Sequence, residues 1–230
     1  MKTIGLLGGM SWTSTVEYYR IINEKVAESL GGLNSGKILL QSLNFAEVEK
    51  LQKQGDWETA GQLLAEAAQS LERAGADMIL ICTNTMHKVA DRVARDLNAP
   101  LIHIADVTAE AIKSQGLTKI GLLGTRYTME QDFLKERLVQ HGLDIIVPEA
   151  EDRNSVNSII FEELCRDVIK EDSHAAMMDI VNGLAARGAE GVIFGCTEIA
   201  LLIDPATCAL PVFDTARIHA ESAVKLALAE

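Results

Sequence analysis

The chain has 230 residues, of which 48% are hydrophobic and only 4% aromatic, and its formal net charge is −12. A chain of this length can bury a substantial core, and its aliphatic composition favours helices packed on a sheet over an all-β sandwich. The negative charge argues against a nucleic-acid partner, because phosphate groups require a basic protein face.

Short apolar runs alternate with longer amphipathic segments along the chain, a pattern typical of α/β proteins. The apolar runs predict strands at residues 3–7, 37–43, 77–81, 101–102, 119–123, 144–147, 191–194 and 212–213. The amphipathic segments predict helices at residues 14–29, 57–74, 85–97, 106–114, 130–140, 154–169, 174–186 and 216–228. Since the strands lack polar alternation, we expect parallel sheets with helices on both faces.

The two halves of the chain resemble each other, with matching features in the same order. Residues 4–9 (IGLLGG) match residues 120–125 (IGLLGT), and each half has a short apolar run that ends in a Cys-Thr pair, at Cys82 and at Cys196. Duplication of one α/β unit explains these matches better than the general α/β pattern does. We therefore predict two similar lobes, each a mainly parallel sheet flanked by helices, related by a pseudo-twofold axis with the active site in the cleft between them.

The bounds of the two lobes follow from the repeat. We expect residues 1–115 to form the first lobe and residues 116–209 the second. The last strand and helix, in residues 210–230, are expected to pack back on the first lobe. No Pro- or Ser-rich linker separates the halves, so we expect a compact cleft.

The two Cys-Thr pairs are the main chemical signal. Both lie where a buried parallel strand ends, and open α/β sheets bind ligands at that edge. A thiol can serve as a base and as an acid, and we expect the N–H groups of the following segment to stabilise a thiolate at Cys82 and at Cys196. Such a pair on opposite faces of one substrate suits racemisation. Buried cysteines are also common in ordinary cores, so the matching positions carry this interpretation.

Other polar residues beside these pairs are candidates for substrate binding. The side chains of Thr83, Asn84, Thr85 and Thr197, with nearby N–H groups, are suited to hold a carboxylate. Glu198 either accepts from a substrate ammonium group or is an acidic residue of a first helical turn. Met10 and Ser11 follow a glycine-rich turn that either lines the cleft or is only a tight turn.

The remaining cysteines and the histidines are weaker candidates for functional residues. Cys165 lies on an apolar face and Cys208 in a loop, and the four cysteines show no Cys-x-x-Cys spacing that would suggest a metal site. A pairing of a cysteine with His87 or His103 lacks an orienting third group. The other histidines are expected at the surface or in helix packing: His141, His174 and His219.

The chain closely resembles the aspartate/glutamate racemase family over essentially its whole length. The matching motifs are Gly8-Gly9-Met10, residues 82–87 (CTNTMH), residues 195–198 (GCTE) and residues 212–215 (VFDT). The resemblance implies two α/β lobes, catalysis without cofactor or metal, and Cys82 and Cys196 as paired acid and base. It implies that Met10, Thr83, Asn84, Thr85, Thr197 and Glu198 line the site. Many members are dimers, so a homodimer is possible.

One departure from the family concerns the substrate. Members specific for aspartate typically carry an Arg after the second strand, but residues 43–55 contain none, and the partnering Lys is missing from residues 157–166. An amide or a flexible ammonium replaces a bidentate guanidinium only in part. The segment resembles that of broad-specificity members acting on homoserine and related amino acids. We expect Gln52 to contact the substrate side chain.

The leading hypothesis is a cofactor-independent racemase of a small-molecule amino-acid substrate. A decarboxylase or cis–trans isomerase of a dicarboxylate would use the same fold, and a cytosolic small-ligand binding protein or sensor would use the same cleft. A pyridoxal enzyme is disfavoured because no lysine stands out at a strand end. With neither a signal peptide nor a membrane-length apolar segment, the chain is expected to be cytoplasmic, without a membrane partner.

Overall fold

The computed structural model describes residues 1–229. Its strands are β1 (Ile4–Gly8), β2 (Ile38–Ser42), β3 (Met78–Ile81), β4 (Lys119–Gly124), β5 (Asp144–Ile146), β6 (Gly191–Gly195) and β7 (Val212–Asp214). Its α-helices are α1 (Trp12–Leu30), α2 (Phe45–Gln54), α3 (Trp57–Arg73), α4 (Ala90–Ala94), α5 (Ile104–Ser114), α6 (Arg126–Glu130), α7 (Asp132–Gln140), α8 (Ala150–Glu162), α9 (Glu171–Ala186), α10 (Ile199–Leu202) and α11 (Thr215–Leu228). Short 3₁₀ helices cover Thr85–Val89, Leu164–Arg166 and Pro205–Thr207.

The chain forms two compact units. The first contains Met1–Ile104 together with the described residues from His219 on, and the second contains Ala105–Ile218. The sequence placed these bounds near residues 115 and 210. The second bound lies later in the chain because β7 pairs with β6 and so belongs to the second sheet. The change back to the first unit falls within α11, at His219.

The first unit is built on a parallel sheet with the order β2-β1-β3. Leu101 adds one parallel bridge to Ile79 at the β3 side. Strand β1 is buried along its whole length, which explains its unbroken apolar sequence. Helix α3 packs on this sheet through small and branched residues spaced about one turn apart, namely Ala60, Leu64, Ala68 and Leu71.

The second unit repeats this arrangement with a parallel sheet of the order β5-β4-β6-β7. Its central strands β4 and β6 are buried, and Phe194 of β6 is fully enclosed. Helices α8 and α9 contribute Val156, Ile160, Val181 and Leu184 to the core. The predicted α/β class, with two similar parallel sheets flanked by helices, is confirmed.

Several elements differ from the prediction. Residues 45–54 form α2, where no helix was expected. The helix predicted at residues 85–97 is a 3₁₀ turn followed by the short α4. Within residues 1–229, the structure contains no helix that combines the length and the apolar character needed to cross a bilayer.

Candidate active site

The carboxyl end of β1 is held close to the end of β2. Gly9 has a φ of +86°, and a Cβ atom on it would lie 2.1 Å from the Leu43 carbonyl oxygen, so only glycine fits there. The N–H of Gly9 donates to the hydroxyl of Thr15. The next residues, Met10 and Ser11, are buried, and Ser11 is the N-cap of α1. The close approach of the Leu43 backbone therefore explains why a glycine is needed at position 9.

The segment Cys82–Asn84, here called the Cys82 turn, follows β3 beside the end of β1. The N–H of Cys82 donates to the Leu7 carbonyl at 2.9 Å. Cys82 is fully buried, Asn84 nearly so, and Thr83 partly exposed. Thr85, also buried, begins the 3₁₀ helix. Burial raises the pKa of the Cys82 thiol far above its ordinary value.

A cluster of buried histidines lies behind the Cys82 turn. His87 accepts from the N–H of Ile104 through Nε2 at 3.2 Å, so its Nδ1–H donates to the Thr83 carbonyl at 2.8 Å. The ring of His87 lies 4.6 Å from that of His103 and 5.7 Å from that of His219. His87 thus fixes the backbone of the turn, a role that the sequence did not indicate.

His219 is fully buried on α11. Its Nε2 donates to the Ile102 carbonyl at 2.7 Å, and its Nδ1 lies 2.8 Å from the hydroxyl of Tyr18. Burial lowers the pKa of His219 to about 3, with a further lowering by His87 and an opposing contribution from the Ile102 carbonyl. The ring is therefore neutral at ordinary pH, and the hydroxyl of Tyr18 donates to it.

Gln52 is buried on α2, while the neighbouring Lys53 and Gln54 are exposed. Its amide Nε2 donates to the sulfur of Met86 at 3.0 Å. A thioether is a weak acceptor, so this contact holds the amide only loosely. Gln52 and Met86 thereby connect α2 with the 3₁₀ helix that follows the Cys82 turn.

In the second unit, the segment Cys196–Glu198, here called the Cys196 turn, follows β6. The carboxylate oxygen Oε2 of Glu198 accepts from the Cys196 thiol at 2.9 Å and from the Thr197 hydroxyl at 2.6 Å. Glu198 and Thr197 are buried, and Cys196 is partly exposed. The Glu198 side chain therefore accepts hydrogen bonds from the other two residues of its own turn.

The pKa of Cys196 is raised well above its ordinary value. Burial is the largest cause, followed by the negative charge of Glu198 and by Cys165, while the backbone N–H of Glu198 acts in the opposite direction. The sequence led us to expect helix-end N–H groups to stabilise thiolates at both cysteines. That expectation is wrong, because desolvation raises the pKa of both thiols and, at Cys196, outweighs the opposing backbone N–H of Glu198.

Cys165 was expected in the core, whereas Arg126 was not singled out from the sequence. Cys165 packs on the same apolar core as Cys196, and burial together with the Glu198 charge raises the pKa of Cys165 to about 12. Arg126 follows β4, the strand beside β6, and its guanidinium donates to the Asn154 side-chain oxygen at 2.9 Å. Neither belongs to a repeated motif, so spacing gives no signal for them.

The predicted site residues thus form two groups. In the first unit, Met10, Ser11, Thr83, Asn84 and Thr85 lie with Cys82 after the carboxyl ends of strands β1 and β3, and Gln52 lies on α2. In the second unit, Thr197 and Glu198 lie with Cys196 after β6. Residues 1–229 contain no group of three or more His, Cys, Asp or Glu side chains arranged to hold a metal ion.

Comparison with known proteins assigns the chain to a family. The model of the Asp/Glu/Hydantoin racemase family matches residues 7–223. The chain is 24% identical over 178 residues to the broad specificity amino-acid racemase RacX of Bacillus subtilis (strain 168), which covers 76% of this chain and 75% of RacX.

Two solved structures are similar over nearly the whole chain. The crystal structure of a putative Asp/Glu racemase from Yersinia pestis shares 55% identity, covers 100% of both chains and superposes with a TM-score of 0.94. That of an aspartate racemase homologue from Pyrococcus horikoshii OT3 shares 38% identity, covers 99% of both chains and has a TM-score of 0.88. The chain belongs to the Asp/Glu/hydantoin racemase family of isomerases.

Proposed function

We propose that the protein is a cofactor-independent amino-acid racemase in which Cys82 and Cys196 act as the two acid/base groups. The observation that carries this proposal is the equivalence of the two turns. Each begins with Cys-Thr and follows the third strand of its unit, and the first three strands of both units have the same order in the sheet. Membership of a racemase family supports the reaction class.

In the proposed reaction, the Cys82 thiolate takes the α-proton from one face of the amino acid. The electron pair of the broken C–H bond passes into the substrate carboxylate, and the Cys196 thiol donates its proton to the opposite face. The reverse direction exchanges the two roles. Because burial raises the pKa of both thiols, Cys82 must lose its proton before this step. The thiolate that then forms is a stronger base toward a weakly acidic C–H group.

The other predicted residues would bind the substrate. N–H groups and the hydroxyls of Thr83, Thr85 and Thr197 would hold the substrate carboxylate, where negative charge builds up in the transition state. Asn84 would add an amide, and the backbone at Met10 and Ser11 would close the site. Glu198 was expected to accept from the substrate ammonium group. Its present bonds within the Cys196 turn would then have to be shared.

The proposed substrates are aspartate or glutamate or a broader set that includes homoserine. Similarity to a broad specificity racemase supports the wider set. The buried amide of Gln52 supports it further, because an amide can donate to a hydroxyl or to a carboxylate, whereas a guanidinium strongly favours a carboxylate.

The test is α-proton exchange in D2O without added cofactor, with L- and D-aspartate, glutamate and homoserine. NMR follows loss of the α-proton, and chiral chromatography follows the opposite enantiomer. Exchange together with inversion supports racemisation and identifies the substrate. Saturable binding without exchange would favour a sensor, and loss of the carboxyl group or isomerisation of a dicarboxylate would favour the other enzyme classes.

A further inference from the structure

The Cys196 turn contains a contact that the Cys82 turn does not repeat. The thiol of Cys196 donates to a carboxylate oxygen of Glu198 at 2.9 Å. At the matching third position of the first turn the chain has Asn84, an uncharged amide. The two thiols therefore differ in charge environment although their positions in the two sheets are equivalent.

The carboxylate of Glu198 favours the protonated form of Cys196. Loss of the thiol proton would place a thiolate next to a buried carboxylate, and two like charges at this distance repel strongly where water is excluded. The Thr197 hydroxyl donates to the same oxygen at 2.6 Å and so offsets part of the negative charge that the thiol meets. Only the backbone N–H of Glu198 favours the thiolate.

We propose that Glu198 is a positioning residue that keeps the proton on Cys196, so that Cys196 enters the reaction as the acid and Cys82 as the base. The assignment of acid and base rests on the proposed racemase function, whereas the proton-holding contact does not. The enzyme would then be ready for the direction in which Cys82 takes the α-proton. The opposite direction would first need the proton to be on Cys82 and not on Cys196.

The test measures the thiolate at each cysteine without any substrate. The full-length protein is treated with iodoacetamide over a range of pH, and mass spectrometry gives the alkylation rate of each cysteine, since only the thiolate reacts. Wild type is compared with Glu198→Gln. The control is Glu162→Gln, which removes an exposed carboxylate paired with Arg166 in the same unit.

The expected result is that Glu198→Gln moves the Cys196 rate curve to lower pH. A shift of one pH unit is a rise of about tenfold in rate at any pH well below the midpoint. The Cys196 curve of the control variant should stay in place. A Cys196 curve that is unmoved, or moved to higher pH, would overturn the proposal.

A second variant covers the case in which Glu198→Gln does not fold. Thr197→Val removes one donor to Glu198 Oε2 and leaves the charge, so the Cys196 curve should move to higher pH. A move to lower pH would contradict the proposal. If the curves move as expected but no amino acid exchanges its α-proton, the proton-holding contact stands and the racemase function fails, so the two failures are distinguishable.

Discussion

The Cys82 and Cys196 turns occupy equivalent places in two similar sheets, yet their electrostatics differ. The pKa of Cys82 is raised by burial alone, whereas that of Cys196 is raised by burial and by the Glu198 carboxylate. Duplication of an α/β unit explains the common position of the thiols. The difference lies in the third residue of each turn, which is Asn84 in the first and Glu198 in the second.

The supports behind the two turns differ as well. The Cys82 turn is fixed from behind by His87, within a cluster that includes His103 and His219. In the Cys196 turn, the Glu198 carboxylate accepts from the other two residues of the turn. Substitutions around the Cys82 turn should therefore affect its thiol through packing and burial. Substitutions in the Cys196 turn should affect its thiol through charge.

The largest expected effect comes from replacing one thiol at a time. Cys82→Ser and Cys196→Ser should each lower racemisation by about 10²- to 10⁴-fold, the usual contribution of a positioned acid or base. The difference between the variants should appear in D2O. Each retains one thiol, so each should still exchange the α-proton of one enantiomer, and the two variants should differ in which one.

Chiral analysis with NMR measures both quantities in that experiment. Cys208→Ser serves as the control, because Cys208 lies outside both turns, directly after the 3₁₀ helix Pro205–Thr207. Full racemisation by Cys196→Ser would contradict the two-base mechanism. Exchange of the same enantiomer by both variants would contradict the assignment of the thiols to opposite faces.

The second effect concerns acid stability of the first unit. Burial lowers the pKa of His219 to about 3 in the folded protein, against about 6.5 in an unfolded chain. The unfolded chain therefore binds the extra proton, and the stabilisation present above pH 6.5 is lost as the pH falls toward 3. At about 1.4 kcal/mol per pKa unit, the loss reaches up to about 5 kcal/mol.

Urea unfolding followed by tryptophan fluorescence measures this loss, because Trp12 and Trp57 both lie in the first unit. His219→Gln cannot take up the proton, so its unfolding midpoint should depend less on pH than that of wild type. His174→Gln, in the second unit, should behave as wild type. Parallel pH curves for wild type and His219→Gln would reject this origin of acid sensitivity.

A smaller effect on the free energy of unfolding is expected from substitutions just after β1 and β4. Gly9→Ala should lower the free energy of unfolding by about 3 kcal/mol or more, because the new Cβ atom needs a positive φ and meets the Leu43 backbone. The matching residue in the second unit is Thr125, an ordinary N-cap with a φ of −63°. Thr125→Ala should cost only about 1 kcal/mol.

Circular dichroism follows both variants, and tryptophan fluorescence follows Gly9→Ala. Gly142→Ala is a matched control, since Gly142 also has a positive φ, of 88°, but no atom within 4 Å of the added Cβ. A loss in Gly142→Ala as large as that in Gly9→Ala would show that φ alone decides the cost. A much smaller loss would assign the difference to the approach of Leu43.

The strands and the two turns were predictable because their signals are local. Buried parallel strands are unbroken apolar runs, and the Cys-Thr pairs end such runs in both halves. Helix α2 was missed although Asn44 and Gly55 are ordinary caps for it. Its apolar positions, Phe45, Val48 and Leu51, form only a narrow stripe among lysines and glutamines, so the segment appears polar.

The electrostatics of the site were not predictable, because they depend on side-chain directions and on distant neighbours. The sequence places Glu198 two residues from Cys196, but it does not show that the carboxylate turns back to the thiol. Tyr18 and His219 are 201 residues apart in the chain, so no local pattern connects them. The thiol pKa values were predicted in the wrong direction, since desolvation depends on the packed structure.

The smallest effect on stability is expected at Gln52, where the effect on specificity should be larger. Gln52→Leu removes one bond to the Met86 sulfur and keeps the buried volume, so the free energy of unfolding should change by less than about 1 kcal/mol. If the amide binds the substrate side chain, KM should rise for homoserine and aspartate while alanine is little affected. Gln54→Leu, exposed on the same helix, is the control. An equal change for alanine would place Gln52 outside the side-chain site, and the neutral amide would then say nothing about substrate choice.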